Sequence, residues 1–163
     1  MEPRDLTASD LDWVHALNQA NGEALSFMER DAFEAMAARA AYARVLDDQA
    51  GFLLAYARPP IPESSPNFDW FAGRFENVLY IDRVAVADHA RRQGIAARLY
   101  ADLVAFARDS GFGRIGAEIN SDPPNPGSDA FHAARGFQTV GEARLEGRGK
   151  TVRYVALTPA DAA

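Results

Sequence analysis

At 163 residues, the chain is long enough for one domain with a substantial core, and its apolar and charged fractions are those of an ordinary globular protein. With no cysteine it has no disulfide framework, no thiolate metal site and no cysteine nucleophile; the net charge of −6, with Lys150 the only lysine, argues against a nucleic-acid partner. No apolar run reaches the roughly 18 residues that span a bilayer, and Met1-Glu2-Pro3-Arg4-Asp5 lacks the features of a secretion signal, so a cytoplasmic protein with no membrane partner is expected.

Leu11, Val14 and Leu17 recur at helical spacing behind a Ser9 or Asp10 cap and predict a helix over 10–21; 31–41, rich in Ala and Met, predicts a second. Residues 43–46 and 51–57 read as two strands joined by Asp47-Asp48-Gln49-Ala50. Between Arg58 and Asn77, Pro59, Pro60, Pro62 and Pro66 argue against regular structure, while Phe68, Trp70, Phe71 and Phe75 are too apolar for a bare loop. The segment 59–76 is therefore expected as a loop inserted over a site, with Phe68 and Trp70 as walls; the alternative is that its rings fill a satellite core or a subunit contact.

Residues 77–86 form the most apolar strand pattern and predict a central position in a covered sheet. The helix expected from Arg92 to Ser110 carries Ile95, Leu99, Leu103 and Phe106 on one stripe and ends at Gly111. A strand over 114–120 follows, then a short helix capped by Asn125 with Pro126 first and Gly136 beyond its end. Strands over 137–145 and 150–157, turned by Glu146-Gly147-Arg148-Gly149, complete the chain. There is no internal repeat and no linker, so 1–163 is read as a single domain.

The junction of the central strand and the long helix carries the chemistry. Val84-Ala85-Val86 leads into Arg91-Arg92-Gln93-Gly94-Ile95-Ala96, a strand passing through a glycine turn to a helix start. A helix start offers unpaired N–H groups and the positive end of the macrodipole, Gly94 and Ala96 allow close approach, and the arginines add charge; this is a site for phosphate. The strings required for a P-loop ATPase, a dinucleotide fold or a serine-hydrolase elbow are absent, and His15, His89 and His132 lack metal-ligand spacing, so no metal is expected.

Arg91, Gly94 and Ala96 after a central strand resemble the acetyl-CoA signature Gln/Arg-x-x-Gly-x-Gly/Ala of the GNAT superfamily of N-acetyltransferases. A narrower likeness is to bacterial members of largely unassigned substrate: Asp82, Arg83 and Val86 stand on the strand, then Asn125, Pro126, Ser128, Phe131 and His132. The resemblance implies an α/β fold of α+β type, with a mixed, mostly antiparallel central sheet and helices on both faces, and acetyl-CoA as cosubstrate. Its pyrophosphate would rest on the backbone from Arg91 to Ala96, including Arg92, Gln93 and Ile95. Pantetheine would lie along Val84, Ala85 and Val86, in a wedge between the central strand and the 115–120 strand, with Asn120 or Asn125 on its amides; Asn125 is otherwise only a helix cap.

Many family members carry a Tyr where this chain has His132, and that residue protonates the departing thiolate; His132 is the corresponding acid unless it is structural. A base must also free the amine. Asp82 is the first candidate, since strand alternation places it on one face with Tyr80, Val84 and Val86; the alternatives are an ion pair with Arg83, or Glu118 as base. The expected activity is direct acetyl transfer to a primary amine of a small molecule or amino acid by a monomer or homodimer. The competing expectation is a catalytically silent acyl-CoA-binding sensor or assembly module of the same fold.

Overall fold

The computed structural model describes residues 2–62 and 65–162. A 3₁₀ turn over Ala8–Asp10 leads into α1 (Leu11–Ala20), followed by α2 (Gly22–Leu25) and α3 (Arg30–Ala38). Seven strands form one sheet in the order β1-β2-β3-β4-β5-β7-β6: β1 (Arg4–Asp5), β2 (Tyr42–Leu46), β3 (Gly51–Tyr56), β4 (Val78–Val86), β5 (Arg114–Asp122), β6 (Gln138–Leu145) and β7 (Lys150–Leu157). Helices α4 (Pro66–Ala72), α5 (Ile95–Asp109) and α6 (Pro126–Ala134) occupy the remaining connections. All pairings are antiparallel except β4 with β5.

The β2–β3 hairpin turns at Asp48 and Gln49, both at positive φ (60° and 53°), the conformation that matches the twist of the flanking strands. Sheet position explains the apolar run on β4: it is fourth of seven strands and is covered on both faces. On one face Leu79, Ile81, Val84 and Val86 meet the Ile95, Leu99 and Leu103 stripe of α5. On the other, Val78, Tyr80 and Ala85 meet Phe33 and Met36 of α3 and Phe68 and Phe71 of α4. Burying each large side chain contributes about 1.5–3 kcal/mol, so two such cores dominate the favourable side of folding.

Three differences from the sequence expectations are informative. The proline-rich segment is not loop throughout, because Pro66 sits in the first turn of α4, where its missing N–H would be unpaired anyway. Trp70 stacks on Tyr154 at 4.2 Å and covers Gly141, whose added Cβ would lie 2.2 Å from the indole; the ring is packing, as is Phe71 against Gly116. The register of β4 against β3 skips one residue, pairing Leu54 with Arg83 and Ala55 with Ile81. Asp82 is the extra residue of a β-bulge, and the bulge resets the alternation, so Tyr80 packs on the face opposite Val84 and Val86 rather than with them.

Candidate active site

Strands β4 and β5 pair only over Val78–Tyr80 with Arg114–Gly116. Beyond that, β5 remains fully paired with β7 while β4 bends at the bulge, and the two strands open into a wedge. A cavity of about 240 Å³ fills the opening, lined by Asp82 and Val84 from β4, Glu118 and Asn120 from β5, and Asn125, Ser128 and His132 around α6.

The wedge continues in one direction into a groove of about 460 Å³ along the end of β4 and the start of α5. Val84, Ala85, Val86, Arg91, Arg92, Gly94, Ile95, Ala96 and Phe131 line it. Gly94 has φ 75°, and an added Cβ would meet nothing within 4 Å; glycine is needed here for its left-handed conformation rather than for space. No side chain caps α5, so its first N–H groups are left to a ligand. Gln93 is the exception among the expected residues: its side chain turns back to donate to the His89 carbonyl at 3.1 Å and does not line the groove.

In the other direction, Asp82 and Arg83 also border a cavity of about 430 Å³ beneath the α2–α3 connection and the start of α4. Phe68 and Tyr80 line this cavity, and Trp70, expected as a wall, does not. Pro60, Ile61, Ser65, Pro66 and Asn67 also line this cavity.

Lys150 also lines the wedge, and the carboxylates, phenols and imidazole there are held by identifiable partners. The Tyr80 hydroxyl donates to Glu118 Oε2 at 2.7 Å. Burial, reinforced by the nearby Asp82 charge, pushes the Glu118 carboxyl up to about 7 despite that hydrogen bond. Burial and the adjacent carboxylates also hold the Tyr80 phenol far above its ordinary range, so it stays a donor. Asp82 is paired with Arg83, whose Nε donates at 2.7 Å; Arg83 Nη1 donates in turn to Asn18 Oδ1 at 2.8 Å, tying the bulge to α1.

His132 is buried between α5 and α6. Its Nδ1–H donates to the Ser128 carbonyl at 2.8 Å, which leaves Nε2 to accept from the Tyr100 hydroxyl, also at 2.8 Å. Burial, with a smaller contribution from Arg135, lowers its pKa and favours the neutral ring. Both nitrogens are therefore engaged, and the expected acid faces the wedge in company with Tyr100, a residue the sequence reading passed over as part of an apolar helix face. Asn125 Oδ1 accepts from the Ser128 N–H at 3.2 Å, so it caps α6 while also lining the wedge. Among the described residues, no group of three or more His, Cys, Asp or Glu is placed to hold a metal.

Residues 11–137 match the model of the acetyltransferase (GNAT) family. The chain belongs to the GNAT family. That family uses acetyl-CoA as cosubstrate, and the uncapped start of α5 beside an open strand wedge fits such a ligand. Among solved structures, the fold is similar to the ribosomal-protein-S18-alanine N-acetyltransferase of Escherichia coli, at 15% identity, covering 96% of this chain and 92% of that one with a TM-score of 0.70. It is also similar to the ribosomal-protein-alanine N-acetyltransferase of Brucella melitensis (22%, 97% and 99%, 0.69) and to Ard1 of Thermoplasma volcanium (12%, 96% and 95%, 0.73). These similarities establish the mixed, mostly antiparallel α/β fold. No curated protein matches the chain by sequence.

Proposed function

We propose that this GNAT protein transfers an acetyl group from acetyl-CoA directly to the primary amine of a small molecule. The observation that carries the reading is the Glu118 carboxyl, held by the Tyr80 hydroxyl at 2.7 Å, in a wedge between the groove at the start of α5 and a second cavity. A base with a pKa near the working pH balances availability against driving force. Glu118 is favoured over Asp82, the first choice from sequence, because the Asp82 carboxylate is committed to Arg83 at the bulge.

In this reading the start of α5 and Arg91 hold the pyrophosphate, and the free edge of β4 around Val84 and Val86 holds the pantetheine. Backbone N–H groups on that edge polarise the thioester carbonyl. Glu118 accepts a proton from the incoming amine, with the Tyr80 hydroxyl holding its carboxylate in place. As the carbon–sulfur bond breaks, its electron pair stays on sulfur, and coenzyme A leaves as a thiolate that takes its proton from solvent, since both His132 nitrogens and the Tyr100 hydroxyl proton are already engaged. Acetyl-CoA supplies the activated acyl group, and the chain needs no covalent intermediate.

Glu118→Gln tests the assignment. It should lower the rate of thiol release by about 10²–10⁴-fold with coenzyme A affinity unchanged. It should also remove the rise in rate through pH about 7 that the wild-type carboxyl imposes. An unchanged rate and profile would return the base role to Asp82. The engagement of both His132 nitrogens favours a second reading, the silent acyl-CoA sensor. That reading requires acetyl-CoA to bind without thiol release to any amine.

A further inference from the structure

The cavity on the far side of the Asp82 bulge bears on which amine is accepted, and this inference rests on the transferase reading above. Three large apolar side chains are exposed among the described residues: Phe27 at 65%, Ile61 at 37% and Val140 at 38%. Two of the three, Phe27 and Ile61, line this one cavity. They come from unrelated parts of the chain, the α2–α3 connection and the segment before α4. Isolated exposed apolar residues need no explanation, but a pair converging on a cavity that opens to a base does.

Phe27 is held in position by close packing on Gly22, where any added Cβ would collide with its ring at 2.2 Å, and Ser26 before it turns the chain at φ 74°. Deeper in, Met28, Pro60 and Phe68 continue the apolar lining, and Tyr80 leads to Glu118. The charged side chains lining the cavity, among the described residues, are Glu29, Asp82, Arg83 and Arg148, two of each sign, and Asp82 is already neutralised by Arg83. A polycation would therefore find little net attraction here and would strip water from its ammonium groups against apolar walls. A single amine on an apolar body would bury that body between Phe27, Ile61 and Phe68 and present its nitrogen at the wedge. The volume, about 430 Å³, lies within the range of about 300–1,000 Å³ usual for small-ligand pockets.

We infer that the acceptor is a small primary amine with an apolar body of aromatic or branched-aliphatic size, such as an arylalkylamine or a hydrophobic amino acid, seated between Phe27 and Ile61. The test measures thiol release from acetyl-CoA with phenethylamine, phenylalanine, glycine, spermidine, kanamycin and the peptide Phe-Gly-Gly. Phenethylamine or phenylalanine should exceed glycine, spermidine and kanamycin in kcat/KM by tenfold or more. Phe27→Ala should raise the KM for the preferred amine about fivefold with little change in kcat, because Phe27 holds the body and not the reacting nitrogen.

Preference for spermidine or kanamycin would overturn the inference, as would Phe27→Ala and Ile61→Ser variants with unaltered KM. Preference for the peptide over both free amines would overturn its small-molecule part. If no amine releases thiol, calorimetry of phenethylamine binding to the protein separates the two failures. Binding weakened by Phe27→Ala keeps the pocket and removes the transfer reading, whereas no binding removes the pocket.

Discussion

Asp10 is buried and Glu118 half-buried, and their surroundings push the two carboxylates in opposite directions. Five donors converge on Asp10: two from the Arg4 guanidinium, the Thr7 N–H and hydroxyl, and the Trp13 indole. The Arg4 guanidinium above all holds this carboxyl well below the usual range, so Asp10 stabilises the fold above its unfolded value near 3.9 and loses that contribution in acid. Asp10→Ala should lower Tm at pH 7 by about 5 °C, since Trp13 and Thr7 are left without their acceptor. Glu118, raised to about 7, has the opposite linkage: its protonated form is favoured by folding, and stability is lost as pH rises through 7. Glu118→Gln should therefore melt at a higher temperature than wild type at pH 8 and at nearly the same temperature at pH 4.5. An inactive variant that is also more stable is the expected signature of a base held in an unfavourable site; equal melting temperatures at both pH values would contradict the raised pKa. The surroundings of Glu118 and His132 were not legible in sequence, because their partners, Tyr80 and Tyr100, lie 38 and 32 residues away on other elements.

Elements whose pattern is local were readable and those defined by contact were not. The α5 stripe, the Gly111 stop and the β6–β7 hairpin with Gly147 and Gly149 at positive φ follow from spacing and turn chemistry, and the structure agrees within a few residues at each boundary. Helix α4 was hidden by its prolines, since only the position of Pro66 within the first turn distinguishes a starter from a breaker. The bulge at Asp82 was invisible because nothing in Tyr80–Val86 marks the skipped pairing, which depends on β3. Trp70 belongs to α4 and packs on Tyr154 and Gly141. Trp70→Ala should cost about 3 kcal/mol in stability by chemical denaturation and leave the acceptor KM within a factor of two. A large KM change with little loss of stability would return the ring to the acceptor wall. At the start of α5, Gly94→Ala forces a side chain into φ 75° and should weaken coenzyme A binding several-fold by calorimetry, because the turn that aims the N–H groups must readjust.

At the scale of the molecule, one change of direction organises the site. A parallel pair limited to three residues on each strand lets the centre of the sheet part, and the bulge on β4 turns the same strand toward both faces. The groove at the start of α5, the carboxylate wedge and the cavity lined by Phe27 and Ile61 then share β4 as a common wall, each supplied by different connections: α5 for the first, α6 and β5 for the second, and the α2–α3 and pre-α4 segments for the third. The family could be read from one strand–turn–helix signature, but the cavity lined by Phe27 and Ile61 could not, because it is assembled from segments without periodicity. Thiol release from acetyl-CoA with and without an amine, across pH 5–9, for wild type and Glu118→Gln, tests the whole arrangement most directly. The account predicts amine-dependent release that rises through pH about 7 in wild type and falls by orders of magnitude, without that rise, in the variant. Tight coenzyme A binding with no amine-dependent release from wild type would contradict it and leave a binding module in place of an enzyme.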